Sequence, residues 1–115
     1  MSSKRSRTPV SLAVAVGVLL AAATASAALE THTIEIKNHR FEPAELRVPA
    51  NTKVKLIVKN LDPTPEEFES YELNREKVIL GGRSGIVFVG PLKPGSYPFF
   101  GDFNQDTAQG VLHVE

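Results

Sequence analysis

The sequence predicts an all-β protein, a Greek-key antiparallel β-sandwich with one short helix. Three observations predict it. Apolar and polar residues alternate with period two through most of the chain. Turn-forming clusters of Pro, Gly, Asn and Asp interrupt that alternation at roughly ten-residue spacing. Past the N-terminal segment, the chain has the length for one modest core and too little for two.

Residues 31–37 open the pattern, with His32, Ile34 and Ile36 on one face and Thr33, Glu35 and Lys37 on the other. Residues 45–48 place Leu46 and Val48 opposite Glu45 and Arg47. The run 53–59 sets Val54, Leu56 and Val58 inward and Lys53, Lys55 and Lys59 outward, the signature of an antiparallel sheet with one wet side. Residues 78–80, 85–89, 97–100 and 110–114 complete about seven short strands, separated by Pro49-Ala50-Asn51, Gly81-Gly82 and Leu92-Lys93-Pro94-Gly95. Between residues 60 and 70 the alternation is lost. Thr64-Pro65-Glu66-Glu67 reads there as a helix start, with Thr64 as N-cap, Pro65 in the first turn and Glu67 closing a capping box. This places the short helix at residues 65–71.

The 115-residue chain balances 13 basic against 13 acidic residues, but unevenly. Residues 1–27 carry Lys4, Arg5 and Arg7 and no acid, which leaves 10 basic and 13 acidic residues over 28–115, a formal charge of −3. A mildly acidic domain lacks the basic footprint of nucleic-acid binding. The leading segment has the order of an export signal: a basic start, an apolar stretch from Val10 to about Ala23, then Ala25-Ser26-Ala27 as a small-x-small cleavage site. About 14 apolar residues fall short of the ~20 that cross a bilayer. The expected organisation is a signal peptide over 1–27, a domain over 28–115, and a periplasmic product that is not membrane-embedded after cleavage. With no cysteine, disulfides, thiolate catalysis, Cys-ligated zinc, iron–sulfur clusters and thiolate-ligated copper are all excluded.

From here the residues resemble the cupredoxins. The likeness is carried by Phe41-Glu42-Pro43-Ala44-Glu45-Leu46-Arg47-Val48-Pro49-Ala50, by Val58-Lys59-Asn60-Leu61-Asp62, by Pro91-Leu92-Lys93-Pro94-Gly95-Ser96-Tyr97-Pro98-Phe99-Phe100, and by Thr107-Ala108-Gln109-Gly110-Val111. Glu67-Phe68-Glu69-Ser70, Glu76-Lys77 and Pro91-Leu92-Lys93-Pro94-Gly95 are similar to the small periplasmic cupredoxins found beside bacterial ferrous-iron permeases. That resemblance implies a metal-handling role in high-affinity iron uptake, with copper or iron as the ion, a membrane iron permease or another periplasmic component as partner, and copper-assisted Fe(II) oxidation as the chemistry.

The same resemblance tests the metal site position by position. A blue-copper centre needs two imidazoles, a thiolate and a weak axial thioether. In this chain Glu66 stands at the position of the first His, Gly101 at that of the Cys, Asn104 at that of the second His and Ala108 at that of the Met. A type 1 copper site is therefore excluded. The iron-permease relatives carry an acid-aromatic-His run that corresponds here to Asp102-Phe103-Asn104, with the amide in place of the imidazole.

The remaining candidate metal ligands are Glu66, Glu67 and Glu69, together with Asp102, Asn104 and His39. Carboxylates gathered at one end of a sandwich would hold a hard or borderline cation. The bland alternative makes Glu66 and Glu67 partners of a helix N-terminus and leaves Glu69 solvated. His39 lies in the turn Asn38-His39-Arg40-Phe41, while His32 and His113 read as a strand-edge and a surface residue. No hydrolase or transferase constellation emerges, and Gly81-Gly82-Arg83-Ser84-Gly85 reads as a hairpin turn, not a phosphate loop. Two functions of different class remain: a metal-handling accessory of iron uptake, and a metal-free protein-interaction module.

Overall fold

The structure, a computed structural model, describes residues 29–115 together with Gly17. The expected signal peptide and its cleavage boundary otherwise lie outside the described residues.

Among the described residues nine strands form two sheets. In order they are β1 (Glu30–Lys37), β2 (Arg40–Glu42), β3 (Glu45–Val48), β4 (Val54–Asn60), β5 (Glu66–Ser70), β6 (Arg75–Ile79), β7 (Ser84–Val89), β8 (Gly95–Gly101) and β9 (Gln109–Val114), with a single 3-10 turn at Asp102–Asn104 before β9. One sheet runs β2-β1-β4-β7 and the other β3-β9-β8-β5-β6. This is the expected sandwich, with one refinement. The sheets are mixed, because β1 pairs parallel to β4 and β3 parallel to β9. Hairpin turns join β1 to β2 and β5 to β6, whereas both parallel pairs join strands distant in sequence, a relation that period-two alternation cannot reveal.

The inward residues are those of the alternation. Ile34, Ile36, Leu56 and Val58 face Phe68, Phe99 and Leu112 across the core, all fully buried. Three rings pack at its centre: Phe99 lies stacked on Phe68 at 5.0 Å and meets Phe41 edge-on at 5.1 Å. Gly110 is required beside this cluster, since a Cβ there would run into the Phe99 ring.

The expected helix at residues 65–71 is corrected to strand β5. The register pairs Glu67 with Val78 and Glu69 with Glu76 on β6, while Phe68 opposes Gly101 on β8. A strand partner on each side, β6 and β8, outweighs a local capping signal, because most helical stability comes from packing of an apolar face. The alternation was present all along, with Glu66, Phe68 and Ser70 inward and Glu67 and Glu69 outward. A charged residue in the first inward position disguised it. The short helical piece occurs at Asp102–Asn104 instead. Strand β2 is three residues long, too short for period-two alternation to mark it.

Candidate functional site

The candidate residues lie on three segments at one end of the sandwich: the turn between β1 and β2, strand β5 and the segment 101–108. That segment is closed on itself, with the Gly101 N–H donating to the Ala108 carbonyl at 2.8 Å and the Ala108 N–H to the Asn104 carbonyl at 2.9 Å. The Thr107 hydroxyl donates to the His39 carbonyl at 2.6 Å and so ties the segment to the β1–β2 turn.

Strand pleating divides the acids of β5 between two environments. Glu66 points inward and is 1% exposed. Its Oε1 accepts the Phe103 N–H at 2.9 Å and the Glu67 N–H at 3.1 Å, and its Oε2 accepts Asn104 Nδ2 at 2.6 Å. Three N–H donors thus satisfy a buried carboxylate, as burial of a charge demands.

Glu67 and Glu69 point outward, half-buried, and Glu76 joins them across the hairpin. One carboxylate oxygen from each lies within 4.8 Å of the others. Atoms bonded to one ion at about 2.0–2.6 Å fall within about 5 Å of each other, so the three can share a cation. Like charges directly opposed on paired strands repel, and Glu69 and Glu76 are such a pair. The Glu69 carboxyl is accordingly held above its ordinary range by desolvation, by its hydrogen bond with Glu67, and by the charges of Asp102, Glu67 and Glu76. Arg75, next to Glu76 in the chain, donates to the Phe88 and Asn74 carbonyls at 2.8 Å.

The six residues named from sequence therefore separate. Glu67 and Glu69 form a cluster with Glu76, and Asp102 lies close enough to act on Glu69 through its charge. Glu66 and Asn104 are bonded to each other, the carboxylate fully buried and the amide half-buried. His39 sits in the β1–β2 turn with its Nδ1 3.9 Å from Asp62 Oδ2. Among the described residues, neither His39 nor Asp102 supplies an atom to the three-carboxylate group. Glu76 escaped the sequence reading because its signal, the register with Glu69, exists only once β5 is a strand.

The positions expected for a type 1 copper centre do converge. A Cβ built on Gly101 would lie 2.6 Å from the Ala108 Cβ and 2.7 Å from Glu66 Cδ, and Asn104 is bonded to that same carboxylate. The residues present do not fit the metal. They offer a carboxylate already engaged by three donors, no side chain at all, an amide and a methyl, with no thiolate or imidazole among them.

Comparisons with known proteins agree with this geometry. The family profile described as "Cupredoxin-like domain" matches residues 10–114. Uncharacterized protein RP394 of Rickettsia prowazekii (strain Madrid E) is 52% identical over 81 residues, which are 70% of this chain; the chain spans 65% of that relative's length. Among solved structures, auracyanin A, a "blue" copper protein from Chloroflexus aurantiacus, matches with a TM-score of 0.67 at 17% identity, over 76% of this chain and 100% of its own. The metal-binding domain of the Cu(I)-exporting ATPase CopA from Streptococcus pneumoniae D39, solved with Cu(I), matches with a TM-score of 0.67 at 14% identity, over 74% and 84% of the two chains. At such identities the solved structures establish the fold. The sandwich, the convergence of its four end positions and the match over most of the chain lead to one conclusion: the chain belongs to the cupredoxin-like domain family.

Proposed function

We propose that this protein is an exported, periplasmic metal-handling accessory of bacterial iron uptake. It holds a copper or iron ion on the outer face of the β5–β6 hairpin through Glu67, Glu69 and Glu76, with Asp102 beside them. The observation that carries the reading is the convergence of three carboxylates to within 4.8 Å on a strand pair that sets Glu69 directly opposite Glu76. A cation relieves the repulsion between them, and carboxylate oxygens suit Fe or Cu(II) without a blue colour. Membership of a fold family whose solved relatives include copper proteins supports the choice of metal. The basic, apolar, Ala25-Ser26-Ala27 order of residues 1–27 supports export. The likeness of Glu67-Phe68-Glu69-Ser70 and Glu76-Lys77 to iron-permease companions supports the pathway.

Calorimetric titration of metal-stripped residues 28–115 with Cu(II), and then anaerobically with Fe(II), tests the site. The expected result is one-to-one binding tighter than about 1 μM, worth roughly 8 kcal/mol, for at least one of the two metals. Glu69→Gln and Glu76→Gln should each weaken it tenfold or more, and Asp102→Ala less. Heat no greater than a dilution blank for both metals overturns the reading. One observation favours the second reading, a metal-free interaction module: the inner pocket is filled by Glu66. Such a module would keep its protein partner through Glu67→Ala and Asp102→Ala.

A further inference from the structure

The outward carboxylates make no use of the buried side of the same strand end, and that side carries a separate inference. Four departures from a copper-binding pattern occur there: Glu66, Gly101, Asn104 and Ala108. They come from three segments of the chain, namely the start of β5, the end of β8 and the loop leading to β9. Read from sequence, they are four independent losses of a ligand. In space they are one arrangement. The Glu66 carboxylate occupies the volume a side chain at 101 would enter, since a Cβ on Gly101 would lie 2.7 Å from Glu66 Cδ and 2.8 Å from Oε1. The Ala108 methyl closes the same space at 2.6 Å. The Asn104 amide donates to Oε2 at 2.6 Å, and the Phe103 and Glu67 N–H groups hold Oε1.

We infer that Glu66 is a built-in plug: its carboxylate blocks a copper pocket and does the mechanical work of the absent metal, tying β5 to the 101–108 segment. Each of the other departures then has a physical reason. Position 101 is glycine because the carboxylate and the Ala108 methyl together leave no room for a Cβ. Position 104 is an amide because it must donate to an anion. Position 108 is small because Gly101 packs against it. A metal bridges separate segments through its ligand bonds, and the carboxylate bridges the same segments through charge-assisted hydrogen bonds, which are shorter and stronger than neutral ones. Copper is kept out of the interior, and the pocket regains it when the plug and its three complements are exchanged together.

Two measurements on the full chain test this. The first is a double-mutant cycle read by thermal unfolding. Gly101→Ala alone should lower Tm by roughly 8 °C or more, because overpacking a filled site forces its neighbours apart. In the Glu66→Ala background the same substitution should cost measurably less, since the carboxylate contacts at 2.7 and 2.8 Å are removed while the Ala108 contact at 2.6 Å remains. Equal costs in the two backgrounds overturn the plug. The second combines Glu66→His, Gly101→Cys, Asn104→His and Ala108→Met and adds Cu(II). The expected result is an intense visible thiolate-to-copper absorption, set by two imidazoles, one thiolate and a weak thioether. The matched variant that keeps Glu66 should stay uncoloured. A quadruple variant that retains the native far-ultraviolet circular dichroism yet binds copper without that absorption overturns the blocked-pocket inference. If the quadruple variant does not fold, the cycle decides alone, since its variants change each side chain by no more than a truncation or a methyl. The outward carboxylates have no part in either readout, so failure of the proposed metal function and failure of this inference are distinguishable.

Discussion

Replacing Asp62 by Ala should unfasten the β1–β2 turn from the site end of the sandwich. Asp62 is 9% exposed, and its carboxylate accepts the backbone N–H of Asn38 at 2.8 Å and that of His39 at 2.9 Å. Both turn residues have left-handed backbones, with φ of 52° and 55°. Such a two-residue turn matches the twist of its strands, but a left-handed conformation costs a residue with a side chain about 1–2 kcal/mol. The carboxylate offsets that cost. Hydrogen bonds to a charged group contribute about 1.5–3 kcal/mol each. Because the turn borders solvent and water partly replaces a lost acceptor, the lower end applies, giving about 3 kcal/mol for the pair. In a domain of 60–100 residues this corresponds to a fall in Tm of roughly 12–24 °C. Asp62→Asn keeps one acceptor oxygen and should cost about half as much.

The pH dependence supplies a second readout with a definite sign. The His39 N–H bond is the largest influence holding the Asp62 carboxyl below its ordinary range; the Asn38 N–H and the His39 ring also lower it, against desolvation. A depressed folded pKa contributes stability that is fully present above the unfolded value of about 4 and is lost as pH falls through the folded one. Urea unfolding of the wild type and Asp62→Ala at pH 7 should therefore differ by the full amount, and the difference should shrink as the pH is taken well below 4. A difference under about 0.5 kcal/mol at pH 7 would refute the reasoning, since two charged hydrogen bonds cannot be worth so little. So would a larger one that survives acid undiminished.

Other expectations test the remaining parts of the structure. Glu69→Gln should raise the Tm of the metal-stripped protein at pH 7: a carboxyl whose folded pKa is raised destabilises the fold once it ionises, so the gain should fade as pH falls towards about 4, and a loss at pH 7 would contradict the crowding of acids around it. Ser70→Ala should cost about 2–3 kcal/mol in urea unfolding, because the buried hydroxyl donates to the Pro98 carbonyl at 2.6 Å and accepts the Leu73 N–H at 3.1 Å, joining β5, β8 and the β5–β6 turn. Phe99→Ala should cost about 3–5 kcal/mol by opening a cavity between the Phe41 and Phe68 rings. A cost below 1.5 kcal/mol would mean that the ring cluster does not organise the core.

The sequence by itself determined the sandwich, most of its strands and their inward residues, because period-two burial is a local property that survives without knowledge of partners. It also determined that no type 1 copper site could form, since ligand chemistry is a matter of residue type. Only the tertiary structure decided the rest. The parallel pairs β1–β4 and β3–β9 are made by strands far apart in the chain, and no local pattern encodes their contact. Residues 66–70 carry the local chemistry of a helix start, and pairing with β6 and β8 overrode it. That one change of element separated neighbours that sequence had grouped. Adjacent residues of a strand face opposite sides of the sheet, so Glu66 went inward to Asn104 while Glu67 and Glu69 went outward to Glu76.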